Sequence, residues 1–191
     1  MTDFTLTKET NGIATIIWDC EGKAMNIMTI DALQALNGLI DTALADDAIK
    51  GIIITSAKPD FAAGMDLNVL GAMTSHAYHT PANALFSAIS GIHAMLRKIE
   101  LAGMDPQKNK GGKPIASVLS GTALGIGYEL PLATHRIFAA TNPKAKIGLP
   151  EIMIGIFPGA GGTTRLTRKM GAMAAAPYLL QGKTSSPQKA K

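Results

Sequence analysis

The sequence predicts an α/β fold built on a parallel sheet. Ile13–Trp18 (Ile-Ala-Thr-Ile-Ile-Trp) is rich in β-branched residues and stops at Asp19, as a strand does. Leu33, Leu36, Ile40, Ala43 and Leu44 then repeat at helical spacing. Gly51–Thr55 (Gly-Ile-Ile-Ile-Thr) is short and apolar throughout, the pattern of a strand buried on both faces. Strand, helix and second strand in that order imply a right-handed crossover and parallel pairing.

The remaining elements follow in order. Thr29 is placed to cap the helix, which runs to about Leu44, and Asp46-Asp47 closes it. Asp19 and Cys20 read as turn and core residues. Ser56 to Leu67 is a loop, marked by Pro59 and Gly64, that re-enters a helix near Asp66. Small residues at Ala62, Ala63 and Gly64 let a backbone approach a ligand closely. Ala84 to Ile99 is an amphipathic helix with Leu85, Ile89, Ile92, Met95, Leu96 and Ile99 on its apolar face. His76, His79 and His93 have no metal-ligand spacing, so each reads as a surface or satisfied helix histidine and no metal site is expected. Leu101 to Pro114 is polar, basic and glycine-rich, a surface loop inside a domain. Ile115–Leu119 is an apolar strand that empties into a turn with Gly121, Gly125 and Gly127 and opens a helix. Ala160 to Met170 and Ala172 to Leu180 are further helices. Ser186 and Pro187 suit a helix cap and first position, so Ser185 to Lys191 reads as a helix only begun, and the chain as cut within an element.

Composition narrows the function classes. The 191 residues give room for one domain with a real core, or for part of a larger one. A hydrophobic share of 47% against 17% charged residues excludes a disordered chain. No apolar run reaches the roughly 18 residues that span a bilayer, and no export signal is visible. Cys20 is the single cysteine, so no internal disulfide is possible, which suits a reducing cytoplasm. The formal charge of +4 is carried largely by Lys108 to Lys113 and Arg165 to Lys191. Solvated loops explain it, and a phosphate-bearing ligand is the sharper alternative. Aromatic residues are only 5%, which argues against stacking on single-stranded nucleic acid.

Chemistry concentrates between Ser117 and Arg168. The glycine-rich turn leaves N–H donors free at a helix start, where partial positive charge collects. Glu129 and Glu151 lie in otherwise uncharged, apolar stretches, where a carboxylate needs a partner or a function. Donors beside two carboxylates suit a reaction on a carbonyl whose oxygen becomes negative. Nucleotide readings fail: Leu130 and Thr164 stand where the third glycine of a dinucleotide turn belongs, and neither a Walker-type lysine loop nor a Gly-x-Ser-x-Gly elbow occurs.

Four stretches in order remain: Phe61-Ala-Ala-Gly-Met-Asp66, Gly121-Thr-Ala-Leu-Gly-Ile-Gly-Tyr-Glu129, Gly148-Leu-Pro-Glu151-Ile, and Phe157-Pro-Gly-Ala-Gly-Gly-Thr-Thr-Arg165. Each is weak alone; together they resemble the crotonase, or enoyl-CoA hydratase/isomerase, family, over roughly Thr5 to Lys191. The sequence is most similar to the N-terminal half of bacterial multifunctional fatty-acid oxidation enzymes.

The resemblance implies a crotonase (ClpP-like) spiral of ββα turns. Residues 1–191 would be its hydratase/isomerase core, with C-terminal helices and an NAD-dependent 3-hydroxyacyl-CoA dehydrogenase region beyond. It implies Glu129 and Glu151 as catalytic carboxylates and the backbone N–H groups of Met65 and Ile126 as an oxyanion hole. Most relatives have glycine where Ile126 stands, and Pro131 falls where most continue the helix, which bears on the aim of Glu129. Acyl-CoA contacts are implied at Lys23, Ala24, Asn26, Ala63, Gly64, Asp66, Leu67 and Gly125. No cofactor is implied in this region, NAD belonging to the dehydrogenase. The implied partners are acyl-CoA and either further copies of the chain or a thiolase subunit, with no nucleic acid and no membrane span, in the cytoplasm.

Overall fold

β-branched and apolar runs pair into a five-stranded sheet in the computed structural model, which describes residues 3–71 and 81–190. The strands are β1 (Phe4–Lys8), β2 (Ile13–Trp18), β3 (Gly51–Ser56), β6 (Ile115–Leu119) and β8 (Arg136–Ala139), adjacent in that order. β1 and β2 form an antiparallel hairpin; every later neighbour is parallel, with Ile13 opposite Gly51 and Ile52 opposite Ile115. The predicted parallel crossover is therefore present. Helix α1 (Ile30–Ala45) bridges β2 and β3, and Thr29 caps it by accepting from the Ala32 N–H at 3.1 Å.

One buried cluster joins the sheet to its helices. Ala14, Ile16 and Trp18 alternate inward along β2 and meet Leu33, Leu36 and Ile40 of α1. Helix α2 (Ala82–Leu101) adds Met95, Leu96 and Ile99. It is longer than its periodicity suggested; His76 and His79 and the side chain of Leu85 lie outside the described residues. Cys20 is buried, and desolvation raises its pKa, so it stays a neutral thiol.

Three expectations need correction. The stretch after α2 is not plain loop: β4 (Met104–Asp105) and β5 (Lys110–Gly111) pair as a small hairpin. Lys113, expected in a solvated loop or at an anion, donates instead to the carbonyls of Ala43, Leu44 and Asp46 at 2.7–3.0 Å. It thus completes the C-terminus of α1, where unpaired carbonyls collect negative charge. Ser185 belongs to β10 (Thr184–Ser185), paired antiparallel with β9 (Ile147–Gly148), and among the described residues a single turn follows Ser186.

β9 also pairs in parallel with β7 (Ala123–Leu124). Isolated parallel bridges link Met28 to Met65 and Ala62 to Ala123. These short pairings hold the Phe61–Asp66 loop beside the turn that opens α3 (Ile126–Ala133). Pro131 lies inside α3 without breaking it. The helix ends two residues later, where Thr134 N–H and Oγ bond back to the Pro131 carbonyl at 3.0 and 2.7 Å. A 3-10 turn (Glu151–Ile154), α4 (Gly162–Met170) and α5 (Ala172–Leu180) lie between β9 and β10. α4 starts two residues after the predicted Ala160, because Gly161 adopts the left-handed φ of 90°.

Candidate active site

The first loop is shaped by its pairing with the Met28 strand. Met28 N–H donates to Gly64 O at 2.8 Å, and Asp66 N–H to Met28 O at 2.9 Å. In such a parallel bridge the intervening Met65 N–H points the other way, and it has no acceptor among the described residues. The second loop is built around Gly125, at φ 56°, whose carbonyl accepts from Tyr128 and Glu129 at 2.7 and 2.9 Å. Ile126 is then the first helical residue, one of the positions whose N–H a helix leaves unpaired; among the described residues it too lacks an acceptor. The loops touch: a methyl on Gly125 would lie 3.7 Å from Gly64 Cα and 3.4 Å from Glu151 Oε1.

Both loops open on a cavity of about 710 Å³, which Glu129 and Glu151 also line. Its wall is otherwise largely aliphatic, with Leu70, Ile89, Ile92, Ile154 and Ile156 among its residues. Glu129 is 2% exposed. Its Oε1 accepts from Gly162 N–H at 2.7 Å and Ala160 N–H at 2.9 Å, so Pro131 has not left its carboxyl loose. Burial pushes its pKa above the usual carboxylate range, and those two N–H groups oppose the rise.

Glu151 stands differently. Its Oε2 is buried without a hydrogen-bond partner among the described residues. Desolvation, reinforced by the like charge of Glu129 and opposed by its own backbone N–H, raises its pKa to about 7. One carboxyl of the pair is therefore clamped, while the other has an oxygen to spare and titrates near neutrality. Such a pair can orient a water and exchange a proton.

The other implied contacts divide. Ala63, Gly64, Leu67 and Gly125 line the cavity. Asn26 does not: it is wholly buried, and its amide binds Cys20 N–H, Trp18 O, Ser56 Oγ and Phe61 O at 2.9–3.1 Å. Its role is to pin the loop, and substrate cannot reach its side chain. Asp66 is outside the lining too, with Oδ1 capping the next helical turn at Asn68 N–H, 2.7 Å away. Lys23 and Ala24 are exposed on a turn outside the cavity. Arg165, counted among the candidate anion-binding cations, is tied to Glu100 at 3.0 Å and to the Ala160 carbonyl at 2.9 Å. His93 is the residue that sequence reasoning missed. It lines the cavity, and its Nε2 lies 2.6 Å from Gly159 O. Sixty-six positions separate the two, so no local pattern betrays the contact.

Comparison with known proteins places the sequence and the fold among similar enzymes. Residues 106–191 match the family model described as enoyl-CoA hydratase/isomerase. Over 188 residues, 98% of the chain, the sequence is 32% identical to fatty acid oxidation complex subunit alpha of Shewanella halifaxensis. The chain spans about a quarter of the length of that relative, 24%. The fold superposes on enoyl-CoA hydratase from Geobacillus kaustophilus with a TM-score of 0.82 and 30% identity, covering all of this chain and 65% of the other. Enoyl-CoA hydratase of Bacillus anthracis gives 0.80 and 28%, with 67% of that chain covered. Sequence similarity along nearly the whole chain and a shared fold lead to one conclusion: the chain has the crotonase fold and is similar to enoyl-CoA hydratase/isomerase enzymes.

Proposed function

We propose that the chain is the hydratase core of a fatty-acid β-oxidation enzyme and adds water across the double bond of a trans-2-enoyl-CoA. The observation that supports this reading is the meeting of two unlike carboxyls, Glu129 and Glu151, with two unpaired N–H groups at one apolar cavity. Glu129 Oε2 and ionised Glu151 hold the water between them. The water oxygen bonds to C3, and the C2=C3 π pair moves onto the thioester as an enolate. The Met65 and Ile126 N–H groups receive that oxygen; one such donor is typically worth about 3 kcal/mol of barrier. Glu151 takes the proton released by the water and delivers it to C2, so that it ends as it began and the product is a 3-hydroxyacyl-CoA.

The aliphatic wall would take the acyl chain, with Ala63, Gly64, Leu67 and Gly125 at the thioester. This region needs no cofactor in that reaction. A dehydrogenase region using NAD, a thiolase partner or further copies of the chain, and a cytoplasmic site belong to the same proposal. Among the described residues no helix is long and apolar enough to cross a membrane. A second reading, shift of a 3-enoyl to a 2-enoyl double bond, draws on the spare Glu151 Oε2, since one carboxylate could move a proton from C2 to C4. The test is incubation of the protein with 2-enoyl-CoA and, separately, 3-enoyl-CoA, with products identified by mass and chromatography. Formation of 3-hydroxyacyl-CoA from the first supports hydration. Conversion of the second alone supports isomerisation, and turnover of neither removes both.

A further inference from the structure

Glu129 Oε1 is held by two peptide groups, and the carbonyl of each is held in turn. The Gly162 N–H belongs to the Gly161–Gly162 peptide, whose oxygen accepts from Arg165 N–H at 3.0 Å. The Ala160 N–H belongs to the Gly159–Ala160 peptide, whose oxygen lies 2.6 Å from His93 Nε2. A carbonyl can only accept, so Nε2 must carry the proton. The carbonyl between them, Ala160 O, accepts from Arg165 Nη1 at 2.9 Å, and Arg165 Nε rests on Glu100 Oε1 at 3.0 Å.

The orientation of the peptide planes in this segment depends on hydrogen bonds. Phe157 to Gly162 reads Phe-Pro-Gly-Ala-Gly-Gly, and three glycines leave its peptide planes free to rotate. Pro158 and Ala160 are buried and anchor the segment, but Phe157 is 74% exposed and Gly159 is exposed too, so packing does not by itself fix the turn of the Gly159–Ala160 peptide. His93 and Glu100 lie seven residues apart on α2, two turns along one face. That face otherwise carries Ile92, Leu96 and Ile99. Two polar side chains of α2 thus grip the segment, Glu100 through Arg165 and His93 directly.

We propose that His93 is a positioning residue for Glu129: by donating to the Gly159 carbonyl it turns the Gly159–Ala160 peptide so that its N–H meets Glu129 Oε1. Hydrogen bonding at the carbonyl also polarises the amide and strengthens its N–H as a donor. The chain runs His93 Nε2–H to Gly159 O, through the peptide bond, to Ala160 N–H and the carboxyl. The titratable and charged groups facing Glu129 are Glu151 from the 3-10 turn, Arg165 from α4 and His93 from α2. The proposal rests on reading Glu129 as the carboxylate that orients water, and its test has a readout that does not.

The experiment compares wild type, His93→Ala and His93→Gln, since glutamine keeps an N–H donor without an imidazole. The Glu129 carboxyl is followed by ¹³C NMR in glutamate-labelled protein, its signal assigned through Glu129→Gln, and hydration of a short 2-enoyl-CoA is measured in parallel. In His93→Ala the Glu129 midpoint rises and kcat falls roughly tenfold, a small misaiming of a reacting group, with KM within about twofold. His93→Gln restores both. An unmoved midpoint in His93→Ala overturns the proposal, and so does a His93→Gln protein that behaves like His93→Ala, because donation would then not be the cause. If wild type shows no hydration, the hydratase reading falls, while the midpoints still decide the role of His93.

Discussion

The Gly162 N–H lies 2.7 Å from Glu129 Oε1, and a methyl group on Gly162 would lie 2.8 Å from the same oxygen. The first residue of α4 is therefore both the partner of the buried carboxylate and the limit of its space. The same methyl would sit 2.9 Å from Glu129 Cγ and from Leu149 Cδ1. Gly162→Ala should displace Glu129 from both N–H donors. Overpacking of this kind costs about 1–3 kcal/mol, partly offset by up to about 1 kcal/mol of better helix propensity. Activity should fall about 100-fold, as for a reacting group moved by an ångström. Urea unfolding together with steady-state hydration kinetics checks both parts.

Glu151→Gln keeps the shape of the side chain and removes its proton transfer. We expect kcat to drop by about 10²- to 10⁴-fold with KM little changed. A large rise in KM at unchanged kcat would show that Glu151 serves binding instead.

The pH dependence follows from the same residue. With a pKa of about 7 in the folded chain against an ordinary 4.5, Glu151 holds its proton across the range between them. Stability from this group is fully present below its unfolded pKa and is lost as pH rises through about 7, because the folded state binds the extra proton. Ionised Glu151 receives the proton of the attacking water, so hydration kcat/KM should rise with pH through about 7. A limb of opposite slope would make the protonated acid the active form. In Glu151→Gln this limb should disappear, and pH profiles of the two proteins, taken over the stable range, decide it.

Asn26 should govern stability rather than substrate affinity. Its amide joins the end of β2 to the Phe61–Asp66 loop, with all four bonds buried or half-buried. Asn26→Ala strands several of those groups, each costing about 1–3 kcal/mol when left unpaired. We expect a loss of at least about 3 kcal/mol in urea unfolding, with KM near wild type in whatever fraction stays folded. A raised KM in an equally stable variant would put Asn26 at the ligand after all.

The rim of the cavity should drive association. Met153, Ile154 and Phe157 are 71%, 59% and 74% exposed, and exposed apolar groups gathered at one place favour contact with another surface. Sedimentation at rising concentration should show self-association, weakened by Ile154→Gln with Phe157→Gln. A monodisperse monomer throughout, for both proteins, would end this expectation.

Local chemistry determined the elements that short stretches of chain can specify. The Thr29 cap and the spacing from Leu33 to Leu44 define α1, and the apolar run of β3 announces a parallel strand, because helix and strand periods are properties of neighbouring residues. The two glutamates and the glycine-rich turns were legible for a related reason: a carboxylate in an apolar stretch and glycine before a helix start are local anomalies. Tertiary structure alone decided what those residues meet. Glu129 finds its donors 31 and 33 positions away, His93 reaches Gly159 across 66, and Lys113 closes a helix some 70 positions earlier. Two-residue strands such as β7, β9 and β10 have no period to read, and Asn26 looks the same in sequence whether it faces a ligand or, as here, four protein groups. These contacts are fixed by the packing of the sheet and its helices as a whole, which brings distant backbone groups within bonding distance only once the chain has folded.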